Sequence, residues 1–171
     1  MNYTLITGAS AGIGEVFAKQ LAQQGNNLIL TARRKDKLDA LAQELSSTYK
    51  IQVETLAADL STSEGALQIE QKVSQAGWKI NGLINNAGFG DRGEFTTLPL
   101  DRQLQMIQLN VTTLVELTYR LLPNIKQNKN AFIINVASTA AFQAGPKMAV
   151  YYATKAFVPV SYTHLTLPTK A

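Results

Sequence analysis

One feature constrains this chain more than any other. Short β-prone runs alternate with helical patterns at intervals of about 25–30 residues, the βαβ repeat of a parallel sheet covered on both faces. The apolar or β-branched runs are Tyr3–Thr7, Asn27–Thr31, Ile51–Ala57, Gly82–Asn85 and Ala131–Val136. Between the first two, Ile13, Val16, Phe17 and Leu21 recur at i, i+3, i+4 and i+8 and mark one helical face. Leu38, Leu41 and Leu45 repeat the pattern, as do Ala66, Ile69, Val73 and Ala76. From about Leu100 to Lys126 a short helix is predicted to run into a longer one that stops near Pro123. Gly25, Gly77 and Asn128 stand where helices should end. The fold class that follows is a doubly wound α/β domain.

With 171 residues the chain suits one domain, and its 46% apolar content supplies a core that needs no staple. It has no cysteine, which excludes a disulfide framework, a thiolate nucleophile and Cys-ligated metal. His164 is the one histidine, so neither a Ser–His–Asp triad nor a two-histidine metal site is expected. A net charge of +4 does not by itself argue for nucleic acid. The N-terminus enters a strand at once without a signal-peptide pattern, and no apolar run reaches the roughly 18–20 residues of a membrane span. These features predict a cytoplasmic protein with no membrane or nucleic-acid partner.

The first strand leads into Thr7-Gly8-Ala9-Ser10-Ala11-Gly12-Ile13-Gly14, inside which a helix opens. Glycines at such a junction let the backbone turn sharply and approach a pyrophosphate seated on the positive helix end. The spacing is G-x-x-x-G-x-G and no Gly-Lys-Ser/Thr follows, so it is not a P-loop; a plain glycine turn remains the alternative. After the second strand comes Ala32-Arg33-Arg34-Lys35, where NAD enzymes usually place a carboxylate for the ribose 2′-hydroxyl. A guanidinium fork suits a 2′-phosphate instead, although a solvated charged turn has the same composition. Asp36 and Asp39 offset only part of the positive charge at this helix opening.

Asn85-Asn86-Ala87-Gly88 follows the fourth strand, and Asn110 interrupts a helical stretch where asparagine is a mediocre former. Ser138 ends the fifth strand. Tyr151 and Lys155 stand at i, i+4, on one face of the next helix. A phenol is a poor proton shuttle near neutral pH unless a cation favours its anion, and Lys155 can supply that charge. Tyr152 has no such partner, since Ala156 lies four residues on.

Thr7–Gly14, Asp59, Asn85–Gly88, Asn110, Ser138 and Tyr151/Lys155 together resemble the short-chain dehydrogenase/reductase family, in its order and spacing, from residue 1 to about residue 158. The resemblance implies a Rossmann-type sheet of order 3-2-1-4-5-6-7, of which this chain supplies 3-2-1-4-5, with strands 6 and 7 missing. It implies an oxidoreductase moving a hydride between a nicotinamide and a small-molecule carbonyl or alcohol. Tyr151 would be the general acid or base, and Lys155 would hold the nicotinamide ribose and lower the tyrosine pKa. Ser138 would orient the substrate oxygen, and Asn110 would position a water in the proton relay. Gly8, Ser10, Gly12, Ile13 and Gly14 would cradle the cofactor, Asp59 would contact the adenine, and Asn86, Ala87 and Gly88 would line it. Arg33 matches the position that prefers NADP, with NAD as the alternative cofactor, and no metal is implied. The stretch Gly88–Gly93 resembles a broad bacterial-type branch acting on varied carbonyls or alcohols. The full-length parent would be a homodimer or homotetramer packed through the helices near Leu104–Lys126 and after Tyr151. A non-catalytic NADP-binding sensor or scaffold is the competing class, and the intact Asn110/Ser138/Tyr151/Lys155 set weighs against it.

The resemblance breaks after Val158. Pro159 and the β-branched, proline-bounded run to Thr169 have no helical period. Val160–Thr169 resembles the translation of a sequencing-library adaptor. The expectation is a catalytic domain over residues 1–158, a non-native tail over 159–171 in which His164 has no role, and an N-terminal fragment of low activity.

Overall fold

The structure is a computed structural model and describes residues 1–162. In chain order the elements are β1 (Asn2–Thr7), α1 (Gly12–Gln23), β2 (Asn27–Ala32), α2 (Lys35–Tyr49), β3 (Val53–Ala57), α3 (Gly65–Gln75) and β4 (Lys79–Asn85). There follow α4 (Leu100–Ile107), a π-helical turn (Gln108–Thr112), α5 (Thr113–Ile125), β5 (Phe132–Asn135), a 3₁₀ turn (Thr139–Phe142) and α6 (Ala149–Tyr162). The strands pair in parallel in the order β3-β2-β1-β4-β5, as the sequence predicts. The order reverses at β1, so the crevice between the ends of β1 and β4 is the topological switch point where ligands of such sheets bind.

Apolar side chains leave each central strand on both faces. Leu5, Ile29 and Leu83 join α3 and α5 in one core cluster, while Ile6, Leu28, Leu30 and Ile84 join α1 and α2 in the other. That double burial is why the strands read as continuous apolar runs rather than alternating ones. No helix among the described residues is long and apolar enough to cross a membrane.

Three local expectations are corrected. The face of α1 turned to the sheet is Gly14, Ala18 and Ala22; Phe17 and Leu21 pack half-buried against the same core as expected, whereas Ile13 and Val16 are 60% and 53% exposed. Apolar period finds the large side chains, but the closest approach of helix to sheet selects the smallest ones. Second, α5 continues two residues past Pro123. The missing donor belonged to the carbonyl of Tyr119, a residue 80% exposed, which water can serve. Third, α6 runs through Pro159 to Tyr162. Val158 stays buried on its inner face, and the Ser161 hydroxyl donates to the Val158 carbonyl at 2.9 Å. Residues 163–171, with His164 and most of the expected tail, lie outside the described residues.

Candidate active site

Thr7 ends β1 with a buried hydroxyl that donates to the Ile84 carbonyl and accepts from the Asn86 and Ala87 N–H groups, each at 2.9 Å. Asn86 returns the contact, its Nδ2 donating to the Thr7 carbonyl (2.9 Å) and the Gly8 carbonyl (3.4 Å). This joint between β1 and β4 leaves no room above it. A Cβ on Gly14 would lie 2.6 Å from Asn86 Nδ2 and closer still to the Gly8 carbonyl oxygen, while Gly8 itself has φ +68°. Ala11 gives α1 no side-chain cap, so the first-turn N–H groups face outward at the positive helix end. Gly14→Ala is therefore expected to destabilise the fold by about 1–3 kcal/mol and to weaken dinucleotide binding, read by urea unfolding and a cofactor titration. Unchanged values for both would refute this packing.

At the end of β2, Arg34 donates Nη2 to both the Ser10 carbonyl (3.2 Å) and the Ser10 hydroxyl (3.1 Å). Arg33 lies near Asp59. Burial works to raise the Asp59 pKa, but hydrogen bonds from the Ser61 hydroxyl and N–H, with the Arg33 charge, hold it below its ordinary value. In α2 the Lys35–Asp39 pair, with a 2.8 Å bond from Thr55 to Asp39, offsets the positive opening of the helix.

Gly8, Ser10, Arg33, Asp59, Ala87 and Gly88 line one open cleft. Of the other expected cofactor residues, Gly14 and Asn86 build its floor joint, whereas Gly12 is open and Ile13 projects outward. The sequence reading did not single out Leu60, Ser61, Phe89, Arg102 and Leu109, which also line it. Nor did it place Arg34, visible only as the neighbour of Arg33. Arg102 stacks 3.9 Å from the Phe89 ring centroid and pairs with Asp91 at 2.7 Å, contacts with no local sequence signal. Asn85 serves structure, donating to Thr118 and to Asn135.

Asn110 sits buried in the π-helical turn, a distortion that often marks functional positions. Its Nδ2 donates to the Phe89 carbonyl (2.9 Å) and Thr154 Oγ1 (3.0 Å), and its Oδ1 accepts from the Phe89 N–H (3.1 Å). Thr154, which the sequence did not flag, donates in turn to the Tyr151 carbonyl at 2.8 Å. Lys155 is 8% exposed and spends one N–H on the Val136 carbonyl at 2.9 Å. Burial pushes its ammonium below the ordinary lysine value. A Cβ on Gly88 would lie 2.9 Å from Asn110 Oδ1 and 3.6 Å from Lys155 Nζ, and one on Gly90 would meet the Tyr151 ring at 2.6 Å. Asn110, Tyr151 and Lys155 thus converge on the 88–90 strip. Ser138 stands two residues past the carbonyl that holds Lys155. Its Oγ accepts from the Ala140 N–H (3.1 Å), which leaves the hydroxyl proton for another acceptor. The Tyr152 ring contacts Tyr151 edge-on at 6.2 Å and fills the space beside Gly145.

The cleft, with its uncapped helix end, arginines and carboxylate, suits an elongated ligand carrying phosphates. Tyr151, one helical turn before a buried lysine, brings a phenol to the same helix face. Among the described residues no group of three His, Cys, Asp or Glu side chains could hold a metal.

A family model described as short chain dehydrogenase matches residues 2–168. Very-long-chain 3-oxoacyl-CoA reductase-A from Danio rerio is 34% identical over 160 residues, 91% of this chain and 50% of that protein. A short-chain dehydrogenase from Sphingobium yanoikuyae, solved in complex with NADPH, is similar with a TM-score of 0.89 at 36% identity, covering 96% of this chain and 64% of that one. The bulky-bulky ketone specific alcohol dehydrogenase from Comamonas testosteroni gives a TM-score of 0.89 at 33% identity, covering 96% and 66%. The chain spans about half the length of the curated relatives it matches.

Proposed function

Because this chain belongs to the short-chain dehydrogenase family, we propose that it works as an NADP-dependent oxidoreductase on a small-molecule carbonyl or alcohol. One observation carries the reading: Lys155 is buried with a single protein partner among the described residues, one turn from Tyr151 and beside the Gly88–Gly90 strip. A buried ammonium with two N–H groups left over fits the hydroxyls of a ribose. NADPH supplies the hydride for a carbonyl carbon when it is bound.

The residues of the chain do the rest. Tyr151 gives its phenolic proton to the carbonyl oxygen in reduction and takes it back in oxidation. Ser138, whose Oγ accepts from the Ala140 N–H, donates its hydroxyl proton to the substrate oxygen. Asn110 has committed both amide hydrogens, so it holds Phe89 and Thr154 in place and offers only an Oδ1 lone pair to a relay water. In the cleft, Gly8 to Gly14 and the α1 terminus receive the pyrophosphate, Asp59 the adenine side, and Asn86 to Gly88 the nicotinamide side. Arg33, with Arg34 held on Ser10, receives the 2′-phosphate. An oligomer would use the α4–α5 surface, where Leu104, Val115 and Tyr119 are exposed.

The reading is tested by following NADPH consumption by the full-length parent protein over a panel of ketones and aldehydes. Cofactor binding without turnover of any of them would overturn it. Arg33→Ala is expected to weaken NADPH binding by about 1.5–3 kcal/mol, the range for a charge-assisted contact, with NADH nearly unchanged. Equal losses for both cofactors would remove the 2′-phosphate assignment.

A further inference from the structure

The π-helical turn at 108–112 ties together segments that lie far apart in the chain. On one side Asn110 holds the 88–90 strip through its bonds to the Phe89 N–H and carbonyl. It also holds α6 through Thr154, whose hydroxyl donates to the Tyr151 carbonyl. On the other side is Thr113, the first residue of α5, buried at 3% exposure. Its hydroxyl donates to the Leu60 carbonyl at 2.6 Å, across 53 residues of sequence, and Gln108 reaches the nearby Thr62 carbonyl at 3.5 Å. Leu60 stands between Asp59 and Ser61, and all three line the cofactor cleft, as does Leu109 beside Asn110. A small internal pocket lined by Leu60, Leu109 and Thr113 adjoins this bond, so packing there is incomplete and the hydrogen bond fixes Leu60 against α5.

Thr113 and Asn110 are three residues apart, about 4.5 Å along a helix, and one helical turn moves as a unit. A displacement of Leu60 would therefore reach Asn110, and through Asn110 the strip that seats Gly88 and Gly90 against Lys155 and Tyr151. Misplacing a reacting group by about 1 Å can cost on the order of 100-fold in rate. Contacts made by a remote, non-reacting part of a bound molecule raise turnover when they are used to place the reacting groups. We propose that Thr113 is a positioning residue: through Leu60 it lets the adenosine-phosphate end of the cofactor, seated at Asp59–Ser61, set Asn110 and with it the Tyr151 end of the site. The inference rests on the reading of the cleft as the NADP site and of Tyr151 as the proton donor.

The test follows hydrogen exchange of the Phe89 N–H, the donor to Asn110 Oδ1, in the full-length parent protein with and without saturating adenosine 2′,5′-bisphosphate. The probe should slow exchange by about fivefold or more in wild type and in Thr113→Ser, the low end of coupling between two sites. In Thr113→Val, which keeps the shape and loses the donor, the bound probe should leave the rate unchanged. No slowing in wild type, or equal slowing in Thr113→Val, overturns the proposal. Thr113→Ala, which leaves room for water at the Leu60 carbonyl, replaces a valine variant that fails to fold. In turnover, Thr113→Val should lower kcat by about 100-fold with the KM for NADPH within a few-fold, and Thr113→Ser should keep the wild-type rate. A loss confined to KM overturns the proposal, because a bond that serves cofactor binding alone gives that result. Where no carbonyl is consumed, the oxidoreductase reading falls and the exchange measurement alone decides the role of Thr113.

Discussion

In the full-length parent protein, Tyr151→Phe is expected to cut turnover by about 10²–10⁴-fold, the usual contribution of a positioned general acid, while NADPH affinity stays within a few-fold. The change removes only the transferable proton. The ring keeps its place against Gly90 and its edge contact with Tyr152. Tyr152→Phe is the control, since the ring that fills the space beside Gly145 is retained, and its effect should be mild. Steady-state kinetics and a cofactor titration on both variants decide the matter. If Tyr151→Phe keeps more than about a tenth of the wild-type rate, the phenol is not the proton donor.

Lys155→Met is expected to abolish turnover, weaken NADPH binding and leave the fold as stable or more so. A buried ammonium with one carbonyl partner carries a desolvation cost that a methionine of similar length does not. The Val136 carbonyl left without its donor offsets part of that gain, so the expected gain is small. The pH dependence has a definite sign. Lys155 is held below the ordinary value of 10.5 in the folded state, so near neutrality both states are charged and the folded one carries the full penalty. As pH rises from the lowered folded pKa toward 10.5, the unfolded chain binds more protons than the folded one and wild-type stability rises. The advantage of Lys155→Met should therefore be largest near neutral pH and shrink on the alkaline side. An advantage that grows with pH, or a variant clearly less stable than wild type at neutral pH, would contradict the desolvation account.

The site was legible in the sequence to the extent that its residues sit in local patterns. Gly8, Gly12 and Gly14 announce a turn, Tyr151 and Lys155 share a helical face by spacing alone, and Asn110 is visible as a misfit in a helix, where the structure widens into a π turn. Residues whose role depends on a distant partner gave no signal. Thr154 is an ordinary helical threonine until Asn110, 44 residues earlier, bonds to it. Arg102 is a surface-type charge until Phe89 and Asp91 come under it. Asn110 is the mixed case, located by its sequence context yet engaged with Phe89 and Thr154 in a way that the sequence could not show.

By itself the sequence determined the doubly wound parallel sheet, its 3-2-1-4-5 order through the family pattern, and the positions of the polar groups at the strand ends. Strand burial on two faces and helical period are local properties, written in runs of a few residues. Only the tertiary structure decided which face of α1 meets the sheet, how Thr7 and Asn86, 79 residues apart, lock the glycine turn, and that Arg34 rests on Ser10. The physical reason is register: parallel pairing aligns Thr7 with Thr31 and Asn85 with Asn135, and that alignment gathers segments remote in the chain at one end of the sheet. Contacts made there depend on ångström-scale packing that no local period encodes.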